Sequence, residues 1–155
     1  MYTQALRLVR DRQDAEDVTQ ETFLRVFRGL SGFRGDAQFE TWLYRITANA
    51  AMSHLRRRGR FGDLLPDDDD ERLEVSSASQ LPADSPVDRQ ALTEALASLP
   101  DPMRVAVVLK DVYGLSCLEI AEIEGSTEGA IKVRLHRARK RLKDALFEQD
   151  EAREM

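Results

Sequence analysis

Residues 61–86, FGDLLPDDDDERLEVSSASQLPADSP, hold three prolines, a DDDDE run and a serine-rich patch, with no sustained helical or strand period. Such a stretch cannot bury enough apolar surface to offset the entropy of ordering it, so it reads as a flexible acidic linker. It divides the 155 residues into a module at 1–60, a second at 87–148 and a tail at 149–155. The linker's 26 residues span roughly 86–94 Å when extended and about 28 Å on average as a flexible coil, so the two modules can sit close together or far apart. Net charge divides the same way. Residues 61–87 carry one Arg against eight Asp and Glu, whereas residues 1–60 carry 11 Lys and Arg against seven acids. The overall charge of −5 is therefore mostly the linker's. Nonspecific DNA affinity comes from neutralising phosphates, so the free chain is expected to bind bulk DNA poorly.

Both modules read as helical. In the second, SCLEIAEIEGSTEGAIKVRLHRARKRLK (116–143) contains two helix starts around a tight turn. Ser116 with Glu119 forms a capping-box start, Gly125 allows the sharp turn, and Ser126 or Thr127 caps the next helix. Ile131, Leu135, Ala138, Leu142 and Leu146 then form one apolar stripe. Seven cationic residues, Lys132, Arg134, Arg137, Arg139, Lys140, Arg141 and Lys143, fall largely outside it, with no acid among them. The spacing of Ala121, Gly125 and Ile131 suits a helix-turn-helix, and a helix with one basic face suits a DNA groove. Upstream, Ser85-Pro86 starts a helix carrying Leu92, Leu96 and Leu99, and Asp101-Pro102 starts another that Gly114 ends.

In the first module the periodicity predicts a helix capped by Asp14 and running to about Leu30, with Phe23, Val26, Phe27 and Leu30 on its inner face. Gly29, Gly32 and Gly35 break the chain before a helix from about Ala37 to Arg57. That helix carries the stripe Phe39, Trp42, Leu43, Ile46 and Ala50 and ends in the basic cluster HLRRRGR. Phe39 and Trp42 read as core on this pattern. The fold class expected is all-α, two small helical domains joined by the linker.

The same residues exclude several functions. No run of about 18 apolar residues occurs, and the start lacks the apolar core and cleavage site of a signal peptide, so cytoplasmic residence is expected. The single Cys117 reads as a small buried hydrophobe, and with only His54 and His136 beside it no zinc site is plausible. There is no nucleophile with a nearby base, no phosphate-cradling glycine loop and no metal cluster. A non-enzyme without cofactor, metal or small-molecule substrate is expected.

DAEDVTQETFLRVFR (14–28), FETWLYRITANAAMSHLRRR (39–58) and the terminal helix pair, taken in order, resemble a sigma factor of bacterial RNA polymerase, of the extracytoplasmic-function (ECF) group. The likeness spans nearly the whole chain. It implies that module 1–60 docks on the polymerase core and opens the promoter −10 region, that module 87–148 binds the −35 element, and that the linker threads through the polymerase. It implies Asp14, Asp17, Gln20 and Glu21 as core-polymerase contacts. On residues alone that face reads as solvated, with acids favoured by the helix dipole.

By the same resemblance Arg45, Asn49, Ser53, Arg56, Arg57 and Arg58 face the promoter −10 region, Asn49 suited to a base edge and the arginines to phosphates. Phe33 and Arg34, in the loop LSGFRGDAQ (30–38), are placed to hold a flipped base. Glu128, Lys132, Val133, His136 and Arg137 are placed at base edges of the −35 element, and Arg134, Arg139 and Lys140 at phosphates. His136 reads equally well as an idle surface residue. An anti-sigma partner is implied, and no membrane contact.

Three departures from the pattern stand out. Relatives usually have a further helix before Tyr2, Glu124 stands where an apolar residue commonly precedes the turn glycine, and Cys117 stands where an aromatic is frequent. Two other functions fit the residues alone: a dimeric helix-turn-helix regulator acting on a palindrome, and a polymerase-binding adaptor that uses the DDDDE run without touching DNA.

Overall fold

A computed structural model describes residues 1–35, 38–59 and 88–154. The expected linker at 61–86, the Ser85-Pro86 helix start and the position of Ala37 lie outside them. The described residues are all-α, as expected, with no strand.

Helix α1 (Tyr2–Val9) ends where Arg10 takes a left-handed conformation and donates its N–H to Leu6 O. The chain restarts as α2 (Arg12–Gly29). Its cap is Asp11 rather than the expected Asp14, because the Asp11 carboxylate accepts the Asp14 N–H at 2.9 Å. The expected inner face of α2 is also overturned. Phe23, Phe27 and Leu30 are exposed, Phe27 at 84%, and Val26 is half-buried; the buried side runs through Asp14, Ala15, Val18 and Thr22. Small side chains let α1 and α3 approach α2 closely, and Thr22 satisfies its hydroxyl by donating to Val18 O at 2.7 Å.

After a tight turn at Leu30–Gly32, α3 (Phe39–Arg57) packs on α1 and α2. Its buried side is alanine-rich too: Thr47, Ala48, Ala50, Ala51, Met52 and Leu55. The expected stripe is buried only at Ala50. Trp42, Leu43 and Ile46 are half-buried, and Phe39, expected in the core, is 47% exposed in an aromatic cluster with Phe33 and Trp42, ring centres 5.1–5.7 Å apart.

The second module comprises α4 (Asp88–Ser98), α5 (Asp101–Val107), α6 (Cys117–Glu124) and α7 (Glu128–Glu154). On α4 the buried positions are Ala91 and Ala95, with Leu92 and Leu96 half-buried, and Leu99 is buried just past its end. Helix α5 widens into a π-helical turn at Val108–Val112 before Gly114 reverses the chain at φ 71°. The helix pair forms as expected. Ser116 accepts the Glu119 N–H, Gly125 is left-handed at φ 69°, and Ser126 N–H closes on Ala121 O at 2.9 Å. Thr127 is the residue that caps α7, its hydroxyl oxygen accepting the Ala130 N–H at 3.2 Å. Thr127→Ala is expected to lower stability by about 1 kcal/mol, read as a lower urea midpoint with unchanged slope. Ile131, Leu135, Ala138 and Leu142 are buried and Leu146, at the end of the stripe, is half-buried, so the apolar stripe is where the period put it. The helix itself continues through Glu154, into the expected tail.

Helix α5 packs on α1 and α6 packs on α3, so the two modules share one hydrophobic core. Polar ties reinforce the contact. The π-helical turn carries Tyr113 out to Tyr44, with ring centres 4.8 Å apart, and Arg7 donates to the Tyr113 hydroxyl at 2.9 Å. Buried Arg104 of α5 donates to Leu8 O at the end of α1 (2.9 Å), and Arg56 of α3 donates to Glu124 O at the end of α6. Each module thus supplies a cation to the negative, unsatisfied C-terminus of a helix in the other.

Candidate nucleic-acid interface

Three surfaces carry the expected site residues. On α7 the burial of Ile131, Leu135, Ala138 and Leu142 turns Lys132, His136 and Lys140 to solvent, with Val133 and Arg137 half-buried beside them. Glu128, in the first turn, pairs with Lys132 at 3.3 Å. Two residues expected at phosphates are held within the protein. Arg139 grips Asp111 with two nitrogens, at 2.7 and 3.2 Å, and Arg134 pairs with the buried carboxylate of Glu124. A guanidinium turned into an ion pair on its own module does not present its donors to a phosphate, so in this conformation neither serves as a DNA contact.

On α3, Asn49, Arg56, Arg57 and Arg58 are exposed, and Arg45 and Ser53 are half-buried. The Asn49 amide donates to Arg45 O at 3.0 Å, Ser53 donates to Asn49 O at 3.0 Å, and Arg57 donates to Ser53 O at 3.3 Å. Arg45 is turned to the second module, where its two nitrogens meet the Glu119 carboxylate at 2.8 and 3.1 Å. Arg58 pairs with Asp14 at 2.8 Å. Beside α3, Arg34 is exposed and Phe33 belongs to the Phe39–Trp42 ring cluster, which puts an aromatic surface next to a cation.

On α2, Asp17 and Gln20 are exposed and Glu21 pairs with Arg25 at 3.1 Å. Asp14 does not share that surface. It is 1% exposed, held by His54 Nε2 at 3.0 Å and by Arg58, so it ties α2 to α3 and is out of reach of a docking partner. Asp17, Gln20, Glu21 and Leu24 line one side of a cleft of about 450 Å³, with His54, Arg57 and Arg58 on the other. The sequence reading missed the apolar half of this surface. Asp17, Gln20, Leu24 and Phe27 recur at helical spacing and so share one face, a signal that sequence alone assigns to the wrong side of the helix.

The acids of α6 were missed as well. Glu124 is buried, and burial pushes its carboxyl above the ordinary carboxylate range, although Arg134 and, more weakly, Arg56 pull it down.

The N-terminal residues 1–61 match the family model Sigma-70 region 2, and residues 89–142 match Sigma-70, region 4. The chain is 35% identical over 153 residues to the RNA polymerase sigma-H factor of Pseudomonas aeruginosa, covering 91% of this chain and 77% of that one. The ECF RNA polymerase sigma-E factor of Escherichia coli (strain K12) is 36% identical over 138 residues, covering 81% of this chain and 70% of that one. The chain belongs to the ECF group of the sigma-70 family. The ECF RNA polymerase sigma factor SigE of Mycolicibacterium smegmatis is 43% identical to this sigma factor over 148 residues, which are 94% of this chain but 57% of SigE. Among solved structures, the sigma factor RpoE of Bartonella quintana, in complex with the anti-sigma factor NepR, superposes with TM-score 0.63 at 30% identity, covering 94% of this chain and 88% of RpoE. CnrH, in complex with the cytosolic domain of CnrY, gives 0.55 at 26% identity, covering 96% of this sigma factor and 81% of CnrH.

Proposed function

We propose that this sigma factor binds the RNA polymerase core and directs it to promoters, acting by binding and carrying out no reaction of its own. The observation that carries the reading is the order of regions 2 and 4 along the chain, each with a basic helix at its surface. Module 1–60 docks on the polymerase through Asp17, Gln20 and Glu21, with the exposed Leu24 and Phe27 supplying apolar contact to the same partner. Asn49, Arg57 and the Phe33–Arg34 pair engage the −10 region, the aromatic cluster offering a face on which an unpaired base stacks. Module 87–148 reads the −35 element with Lys132, Val133, His136 and Arg137, and Lys140 holds a phosphate. An anti-sigma partner is part of the proposal, supported by the complex in which RpoE was solved. Among the described residues no helix is long and apolar enough to cross a membrane, which agrees with a factor that works beside the polymerase in the cytoplasm.

The test is transcription from a promoter library by core polymerase with and without the chain. Enrichment of sequences sharing two separated, asymmetric blocks is expected. Palindromic enrichment marks a dimeric regulator instead, and retention on the polymerase without any start-site selection marks an adaptor. Replacing Asp17 and Gln20 together by Ala is expected to lower affinity for core polymerase by about 5- to 10-fold, or roughly 1 kcal/mol, with helicity intact. Normal retention of that double variant removes the docking role of α2.

A further inference from the structure

We propose that α6 is an internal stand-in for the DNA backbone: in the free chain its acids and its C-terminal carbonyls hold Arg45 and Arg56 of α3 and Arg134 of α7, so the protein withholds three of the arginines of its own DNA surfaces. The proposal rests on the assignment of α3 and α7 to promoter contact. Helix α6 packs on both of them. Glu119 and Glu124 are five residues apart, which turns their side chains about 140° from one another around the helix. One carboxylate therefore faces each DNA-reading helix. Glu119 takes Arg45 in a two-point ion pair, and Glu124 takes Arg134. At the end of α6 the carbonyl of Glu124 takes Arg56 as well, with Ile123 O at 3.5 Å from the same nitrogen.

These acceptors resemble what DNA offers, an anionic oxygen array that an arginine fork grips in the same way. Phosphate and α6 therefore compete for the same donors. Arg45 and Arg56 are released when the modules part, since their acceptors lie across the inter-module contact. Arg134 is released by turning away from Glu124 within its own module. The neighbouring ties, Arg104 to Leu8 O and Tyr113 against Tyr44, join α5 and the turn after it to the first module.

The experiment measures binding of the full chain alone to a fluorescent duplex of arbitrary sequence across a salt series. Glu119→Gln is expected to tighten binding at least threefold and to steepen the slope of log affinity against log salt by about 0.9, because the freed Arg45 neutralises one more phosphate. Adding Glu124→Gln is expected to steepen the slope by about 0.9 more, as Arg134 turns to a phosphate in its turn, while Arg56 stays on the main-chain carbonyls that the substitution leaves in place. Glu122→Gln, at an exposed acid on the same helix, removes the same charge without releasing an arginine and is expected to leave the slope unchanged. Equal slopes for the wild type and the Glu119 variant, or an equal change in the Glu122 variant, overturn the proposal. Because Glu119 is half-exposed, its variant keeps the test valid even if the Glu124 substitution prevents folding. The same proteins are added to core polymerase: start-site selection with unchanged slopes defeats the occlusion alone, whereas loss of selection in the wild type defeats the sigma-factor reading beneath it.

Discussion

Replacing Arg104 by Ala is expected to remove about 3–5 kcal/mol of stability, the usual cost of deleting one partner of a buried ion pair. The Arg104 side chain is 4% exposed and lies 2.6 Å from Asp101, whose own side chain is 15% exposed. Its guanidinium also reaches 2.9 Å across the module boundary to Leu8 O, one of the last carbonyls of α1. Alanine leaves a nearly buried carboxylate without this cation and a helix C-terminus without this donor. Urea unfolding of the full chain followed by helicity measures the loss; a change under about 1 kcal/mol contradicts the role. A second sign follows from where the contact sits. The chain has one tryptophan, Trp42, in the first module, so its fluorescence reports that module while helicity reports both. In the wild type the two signals are expected to share a midpoint, and in the Arg104 variant to separate, because α1 and α5 lose the tie that makes them unfold together.

The legibility of this fold follows the size of the side chains that build it. Helix α7 is legible from Ile131, Leu135, Ala138 and Leu142 because there the regularly spaced apolar residues are the ones the core buries. The turn before it is legible from Ser116 and Gly125 because a cap and a left-handed glycine leave a fixed spacing. Helix α2 is misleading because its inner face is Ala15, Val18 and Thr22, while its largest apolar residues point to solvent where a partner can cover them. Sequence hydrophobicity cannot distinguish a core from a docking surface when the docking surface is the more apolar. The break before α2 escapes notice because Arg10, without glycine or proline, makes the turn.

The candidate site is legible to a similar degree. The outward positions of α7 follow from its inward ones, so Lys132, His136 and Lys140 lie where the helical period places them. What the sequence hides is which arginines are already occupied. Arg45 and Glu119 are 74 residues apart, and Arg139 and Asp111 are 28 apart, so no local spacing marks them as pairs. Glu124 does carry a local signal, an acid where an apolar residue is expected before the turn glycine. The structure accounts for it: ten residues on, Arg134 comes round to the same side of the helix pair and takes it in an ion pair.

Arg137→Ala is expected to weaken promoter use by about 1–3 kcal/mol, roughly 5- to 150-fold, and to relax sequence choice at one position of the −35 element. The reason is geometric. With Leu135 and Ala138 buried on either side of it, Arg137 sits one turn beyond Val133 and next to exposed His136, at the centre of the outward strip of α7. An arginine at that place can grip a guanine edge with two donors, and loss of such a contact discriminates between bases. Arg139→Ala supplies the contrast. Its guanidinium is committed to Asp111 in the same module, so its loss is expected to act on folding and to lower use of all promoters alike, by less than about 1 kcal/mol given a partly exposed pair. Transcription from the promoter library by core polymerase carrying each variant separates the two. A position-specific relaxation with Arg137→Ala and a uniform decrease with Arg139→Ala support the assignment; unchanged promoter use by the Arg137 variant removes that residue from the reading surface.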